Sequence, residues 1–108
     1  MNARVWQLHI RAGKTEEFQE IFYSLVDLAR RQDGYRGAVC LSSGKPEAPD
    51  VIMVALWDSQ EAIRASEKNL FLTQAIARVL SCCEGVPHIT EQDILASDFI
   101  ATSARVKA

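Results

Sequence analysis

Val51-Ile52-Met53-Val54-Ala55-Leu56-Trp57-Asp58-Ser59-Gln60-Glu61 decides how this chain folds. Its first seven residues are all apolar. A strand that covers one face of a core alternates apolar with polar residues, and this one does not. Ile52, Val54 and Leu56 point to one side, and Val51, Met53, Ala55 and Trp57 to the other. Both sides therefore require burial. Asp58 is expected to stop the strand and cap a following helix, with Glu61 completing a capping box. A chain of 108 residues builds about two layers, so helices can cover only one side of its sheet. The other side calls for a second copy of the chain.

Outward from this strand the periodicities are clear. Arg4 to Arg11 alternates, with Trp6, Leu8 and Ile10 on one face and Gln7, His9 and Arg11 on the other. Lys14 to Gln32 carries Phe18, Ile21, Phe22, Leu25, Leu28 and Ala29 at helical spacing, with Glu16 and Glu17 in its first turn and Arg30 and Arg31 in its last. Gly34 is placed to end that helix. Tyr35 to Ser43 reads as a second strand. Gly44 to Asp50, holding a glycine and two prolines, reads as a loop.

Beyond the central strand, Ser59 to Lys68 predicts a short helix, and Asn69 marks a break. Leu70 to Cys83 predicts another helix, with Phe71, Ala75, Ile76, Val79 and Leu80 inward. His88 to Ala96 is a weaker fourth strand. The order strand, helix, strand, strand, helix, strand is the ferredoxin-like βαββαβ plan, an α+β fold with a four-stranded antiparallel sheet and right-handed crossovers. The folded domain is expected over residues 1–97. A loose tail is expected over 98–108, with little to bury unless it lies on a partner chain.

Twelve basic and fourteen acidic residues nearly balance, and no Lys/Arg cluster offers a footprint for nucleic acid or an anionic membrane. The start, Met1 to Trp6, lacks the apolar run of a signal peptide. No stretch approaches the length that spans a bilayer, so a cytoplasmic location is expected. The three cysteines, Cys40, Cys82 and Cys83, make neither a disulfide framework nor the C-x-x-C spacing of a metal or redox site, and read as small core residues.

Three motifs carry a resemblance. Val5-Trp6-Gln7-Leu8-His9-Ile10-Arg11-Ala12-Gly13-Lys14-Thr15-Glu16-Glu17-Phe18 resembles the opening of the antibiotic biosynthesis monooxygenase (ABM) family, in which a strand leads through Gly-Lys to Glu-Phe on the first helix. Gly34-Tyr35-Arg36-Gly37, with Leu41 and Ser42, is similar to the family's Gly-aromatic-x-Gly entry to strand two. Trp57-Asp58-Ser59-Gln60-Glu61-Ala62 is similar to its Trp-x-Ser-x-Glu-Ala. The resemblance covers Arg4 to about Leu95. The resemblance implies a homodimer in a dimeric α/β barrel, with a ligand cleft between sheet and helices in each subunit.

The family includes cofactor-independent oxygenases of aromatic polyketides and quinols as well as haem-degrading enzymes. The haem-degrading members use an Asn, a Trp and a ligating His at positions that the motifs bring onto Trp6, Ser66 and Ala75 of this chain. None of the three residue types is present there, so haem is not expected. No cofactor and no metal is expected.

Cofactor-free oxygenation needs an electron-rich substrate, an apolar pocket and a group to take a proton. His9 and His88 are the candidate bases, because imidazole is the side chain whose ordinary proton exchange suits general-base work at neutral pH. Either is also an ordinary surface or structural histidine. Trp6, Phe22, Trp57 and Phe71 are the candidate walls for a small aromatic or apolar metabolite, and each also reads as core. Asn69 could offer its amide at the cleft mouth or simply close a helix end. Tyr23 and Tyr35 offer phenol donors, and Arg78 a cation. The expected function is a cofactor-independent monooxygenase of a small aromatic, quinol or polyketide-like. A non-catalytic dimeric binding module and an isomerase of small metabolites are the alternatives.

Overall fold

The computed structural model describes residues 1–99. Its elements in order are β1 (Asn2–His9), α1 (Thr15–Ala29), β2 (Tyr35–Lys45), β3 (Ala48–Trp57), α2 (Gln60–Glu67), α3 (Leu70–Ser81) and β4 (His88–Asp93). The four strands form one sheet in the order β2-β3-β1-β4, and every neighbouring pair is antiparallel. This is the ferredoxin-like arrangement, with α1 leading from β1 to β2 and the α2–α3 pair leading from β3 to β4.

The side chains of β3 alternate between the two faces as expected. Val51, Met53 and Trp57 are buried on the side that meets the helices. There they join Trp6, Leu8, Ile10 and the α1 stripe of Phe18, Ile21, Phe22, Leu25, Val26 and Ala29. Directly opposed residues on antiparallel strands share a face. Ile52 stands opposite Leu41 and Gln7, and Val54 opposite Val39 and Val5, so these residues make the sheet's other face. No described helix covers that face: Val39, Leu41 and Ile52 are 47, 53 and 40 % exposed.

Local chemistry departs from the sequence reading at several points. Asp58 does not cap α2. Ser59 does, its hydroxyl accepting from the Ala62 N–H at 3.1 Å. Asp58 instead pairs with Arg36 across the β2–β3 end of the sheet. The expected loop from Gly44 to Asp50 is a tight hairpin, because β2 runs to Lys45 and β3 begins at Ala48. Pro49 is tolerated inside β3: it has no N–H to give, and its carbonyl accepts from the Ile10 N–H at 2.9 Å. Helix α1 ends at Ala29, so Arg30 is its C-cap and no basic residue lies in the last turn. Strand β4 ends at Asp93 rather than Ala96. Of the expected tail, residues 100–108 lie outside the described residues.

The two helical pieces are separated by a cap. Asn69 Oδ1 accepts from the Leu72 N–H at 3.1 Å, which ends one helix and begins the next. That cap fixes the phase of α3, so that Leu72, Ala75 and Val79 are buried. Phe71, expected inward, is 66 % exposed.

Candidate functional site

A cavity of about 320 Å³ lies between the sheet and the helices. Each wall follows from an element's periodicity. Even-numbered residues of β1 face the helices, so the strand supplies Arg4 and Trp6. Strand β3 supplies Met53, Ala55 and Trp57, and the start of β2 supplies Tyr35 and Ala38. Opposite them stand Phe22, Leu25, Val26 and Ala29 of α1, with Leu72 and Ile76 of α3. Tyr35 packs edge-on to Trp57, with ring centroids 5.3 Å apart. The lining is thus mostly apolar, as in sites that take hydrophobic ligands.

The charged groups come from β1 and the end of α2. Arg4 Nη1 donates to Glu67 Oε1 at 2.6 Å, and the guanidinium carbon lies over the Trp6 ring, 5.1 Å from its centroid. Glu67 is also 3.7 Å from Arg64, which holds Glu91 at 2.5 Å. That contact holds the Glu91 carboxyl below its usual range. Arg4 Nε is buried with no hydrogen-bond partner. An unsatisfied buried donor of this kind costs about 1–3 kcal/mol. Such a group calls for an explanation, and a ligand or a bound water in the cavity would supply the missing acceptor.

The cavity's hydroxyls are less available. Ser66 Oγ donates to the Ile63 carbonyl at 2.7 Å, and Thr73 Oγ1 to that of Asn69 at 3.0 Å. Both turn inward on their own helices. Burial pushes the Tyr35 phenol above its usual pKa, so it stays a neutral donor at physiological pH.

Trp6, Phe22 and Trp57 come together around the cavity. The other four candidates do not line it. His9 lies on the opposite face of the sheet, as strand alternation requires, with Nδ1 2.8 Å from Asp50 and Nε2 3.8 Å from Glu84. His88 stands opposite Gln7 in the β1–β4 ladder and is exposed. Asn69 spends its side-chain oxygen on the α3 cap, and Phe71 faces solvent.

Sequence reasoning passed over Arg4 and Glu67. Arg4 had a signal: it stands two residues before Trp6, so its side chain shares the core-facing side of β1. A cation on the covered face of a strand is unusual. Glu67 follows Ile63 by four residues, which places it beside a fully buried residue of α2. Among the described residues, no group of His, Cys, Asp and Glu could hold a metal ion. No described helix is long and apolar enough to cross a membrane.

The sequence profile of a family described as antibiotic biosynthesis monooxygenase matches residues 1–78. No functionally curated protein matches the chain in sequence. Solved structures are similar in fold. SnoaB, a cofactor-independent oxygenase from Streptomyces nogalater, superposes with a TM-score of 0.74 at 12 % identity, over 89 % of this chain and 95 % of that one. Rv0793 from Mycobacterium tuberculosis gives 0.73 at 14 % identity, over 89 % and 96 %. A conserved protein from Methanosarcina mazei Go1 gives 0.72 at 15 % identity, over 85 % and 91 %. At these identities the likeness is one of fold, and reactions do not transfer with a fold.

Proposed function

Because the chain belongs to the antibiotic biosynthesis monooxygenase family, we propose that it is a cofactor-independent monooxygenase that oxidises a small phenolic or quinol-type aromatic in the cavity between sheet and helices. The observation that carries this reading is the composition of that cavity: aromatic and aliphatic walls, with Arg4 and Glu67 as its charged pair. Its volume of about 320 Å³ is at the small end of ligand pockets, which run from about 300 to 1,000 Å³. A substrate of one to three fused rings fits that size better than an extended polyketide.

The reaction asks little of the protein beyond placement. Trp6, Phe22 and Trp57 hold the ring away from water. The Arg4 charge favours the ionised form of a hydroxyl bound beside it, because a nearby cation lowers an acid's pKa. Glu67, bonded to Arg4, is the carboxylate placed to accept the proton. The electron-rich anion then reduces oxygen directly. For an anthrone-type substrate the ring CH₂ becomes C=O, one atom of O₂ enters the product, and the other leaves as water with the two hydrogens. All four electrons come from the substrate.

Oxygen uptake tests the reading. With a panel of anthrones and quinols, consumption above the buffer rate is expected, and Glu67→Gln lowers kcat more than it raises KM. No uptake across the panel overturns the oxygenase reading. A second reading, a non-catalytic small-ligand module, draws support from the cavity lining, which holds no imidazole and has its Ser66 and Thr73 hydroxyls tied to backbone. Binding of the same panel without uptake would select it.

The uncovered sheet face supports a homodimer in which two copies face each other. Val39, Leu41, Ile52 and Val54 give that face an apolar centre of the kind that marks a protein contact. Such a pairing also satisfies the second apolar side of β3.

A further inference from the structure

We propose that Arg4 makes the cavity selective for small aromatics that carry a carboxylate, held on the guanidinium edge formed by Nε and Nη2. The inference rests on the reading of this cavity as a ligand site and names the substrate class within it.

A guanidinium presents its N–H groups as planar forks. One fork, Nε–H with the adjacent Nη2–H, matches the two oxygens of a carboxylate in parallel hydrogen bonds. In this chain Nη1 is occupied by Glu67, and Nε is buried with no partner. The edge of Arg4 that holds the unpartnered Nε is therefore the one that suits a carboxylate. A lone phenolate oxygen would satisfy one of its two donors at a time.

The surroundings limit what can bring that carboxylate. Arg4 sits over Trp6, whose ring stabilises the cation but supplies no oxygen acceptor. Beyond Trp6 the walls are Phe22, Met53, Leu72 and Trp57. A bare anion such as acetate would leave this apolar surface unfilled, whereas a neutral hydrocarbon would leave the Nε donor unsatisfied. An aromatic ring with a carboxylate on its edge meets both demands. Glu67 then has a second role. It neutralises Arg4 when the site is unliganded, and it repels a ligand carboxylate that approaches the wrong end of the guanidinium.

Trp6 and Trp57 both line the cavity, so their fluorescence reports binding directly. The probes are 2-naphthoate and its neutral isostere 2-naphthamide, titrated at pH 7. Naphthoate should bind about tenfold or more tightly than naphthamide, the ratio expected when a charged hydrogen-bonded pair forms in a partly buried site. In Arg4→Gln that preference should vanish while naphthamide still binds. Arg4→Lys, which keeps the charge and loses the fork, should retain only part of it. Glu67→Gln provides an independent arm should the Arg4 variants fold poorly by circular dichroism: removing the competing carboxylate should tighten naphthoate several-fold and leave naphthamide unchanged. Equal affinities of the two probes for the native protein, or a preference that survives Arg4→Gln, overturn the proposal while the ligand site stands. Failure of both probes to bind overturns the site itself.

Discussion

A Cβ built on Gly34 would stand 2.7 Å from the Cβ of Ala62. The contact closes the corner where the α1–β2 turn meets α2, and the Gly34 carbonyl accepts from the Asp58 N–H at 2.8 Å in the same corner. Gly34 also has φ +85°, which a side chain resists. Gly13 shares that conformation at φ +78°, but a Cβ there meets nothing within 4 Å. Gly13→Ala should therefore lose only the left-handed penalty, about 1–2 kcal/mol. Gly34→Ala should lose that plus the overlap with α2, about 2–4 kcal/mol in all. Urea unfolding of the two variants measures the difference, and equal losses would show that α2 yields freely to the new methyl.

Leu72 and Phe71 are neighbours with opposite fates. Leu72 is buried against the cavity, and Phe71 is 66 % exposed. Leu72→Ala should destabilise by about 2–4 kcal/mol, as buried leucine truncations do. Phe71→Ser should stay within about 0.5 kcal/mol, the range of surface changes. Thermal or urea melts decide it. A large loss at Phe71 would mean that its ring is covered in solution, by a partner chain or by residues beyond 99.

These two residues also show what the sequence could and could not reveal. The inward stripe of α3 was open to two phases, because Leu70, Phe71 and Leu72 are all apolar. Ala75, Ile76 and Val79 do face inward as expected, and a stripe through them starts at Leu72 rather than at Phe71, whose neighbour seven residues on is Arg78. Trp6, Phe22 and Trp57 follow from alternation and helical spacing alone, and all three reach the cavity. Arg4 and Glu67 are 63 residues apart, and their pairing depends on how α2 is set down over β1. No local pattern encodes that distance. The histidines stand apart for a different reason: strand alternation puts His9, and His88 opposite Gln7, on the far face of the sheet from the cavity.

Cys40 gives a pH dependence with a definite sign. Burial pushes its thiol up to about 12 from an ordinary 9.0. The folded chain thus keeps this proton where the unfolded chain releases it. Stability should be intact below pH 9.0 and fall as the pH rises from there toward about 12. Cys40→Ala should flatten that part of the profile of Tm against pH. At pH 8 the same shift makes the native thiolate roughly a thousandfold scarcer than that of an ordinary cysteine, so a disulfide reagent should label Cys40 slowly until the protein is unfolded. Rapid labelling of Cys40 in the folded protein would show that β2 opens readily at this strand.

The open face of the sheet makes the last test a question of mass. If two copies pack face to face, each substitution on that face enters the contact twice, because a two-fold axis presents the same patch from both sides. Sedimentation at micromolar concentration should give twice the chain mass of 12.0 kDa for the native protein. Leu41→Lys and Ile52→Lys should each shift it to 12.0 kDa. Neither change touches the core of the single chain, since Leu41 and Ile52 are 53 and 40 % exposed there, so far-UV circular dichroism should barely move. A lysine on this face would have to lose its hydration inside the contact, and that cost falls on association alone. A native protein that sediments at 12.0 kDa across the micromolar range would mean that Val39, Leu41 and Ile52 stay in water. The second apolar side of β3 would then need a different occupant.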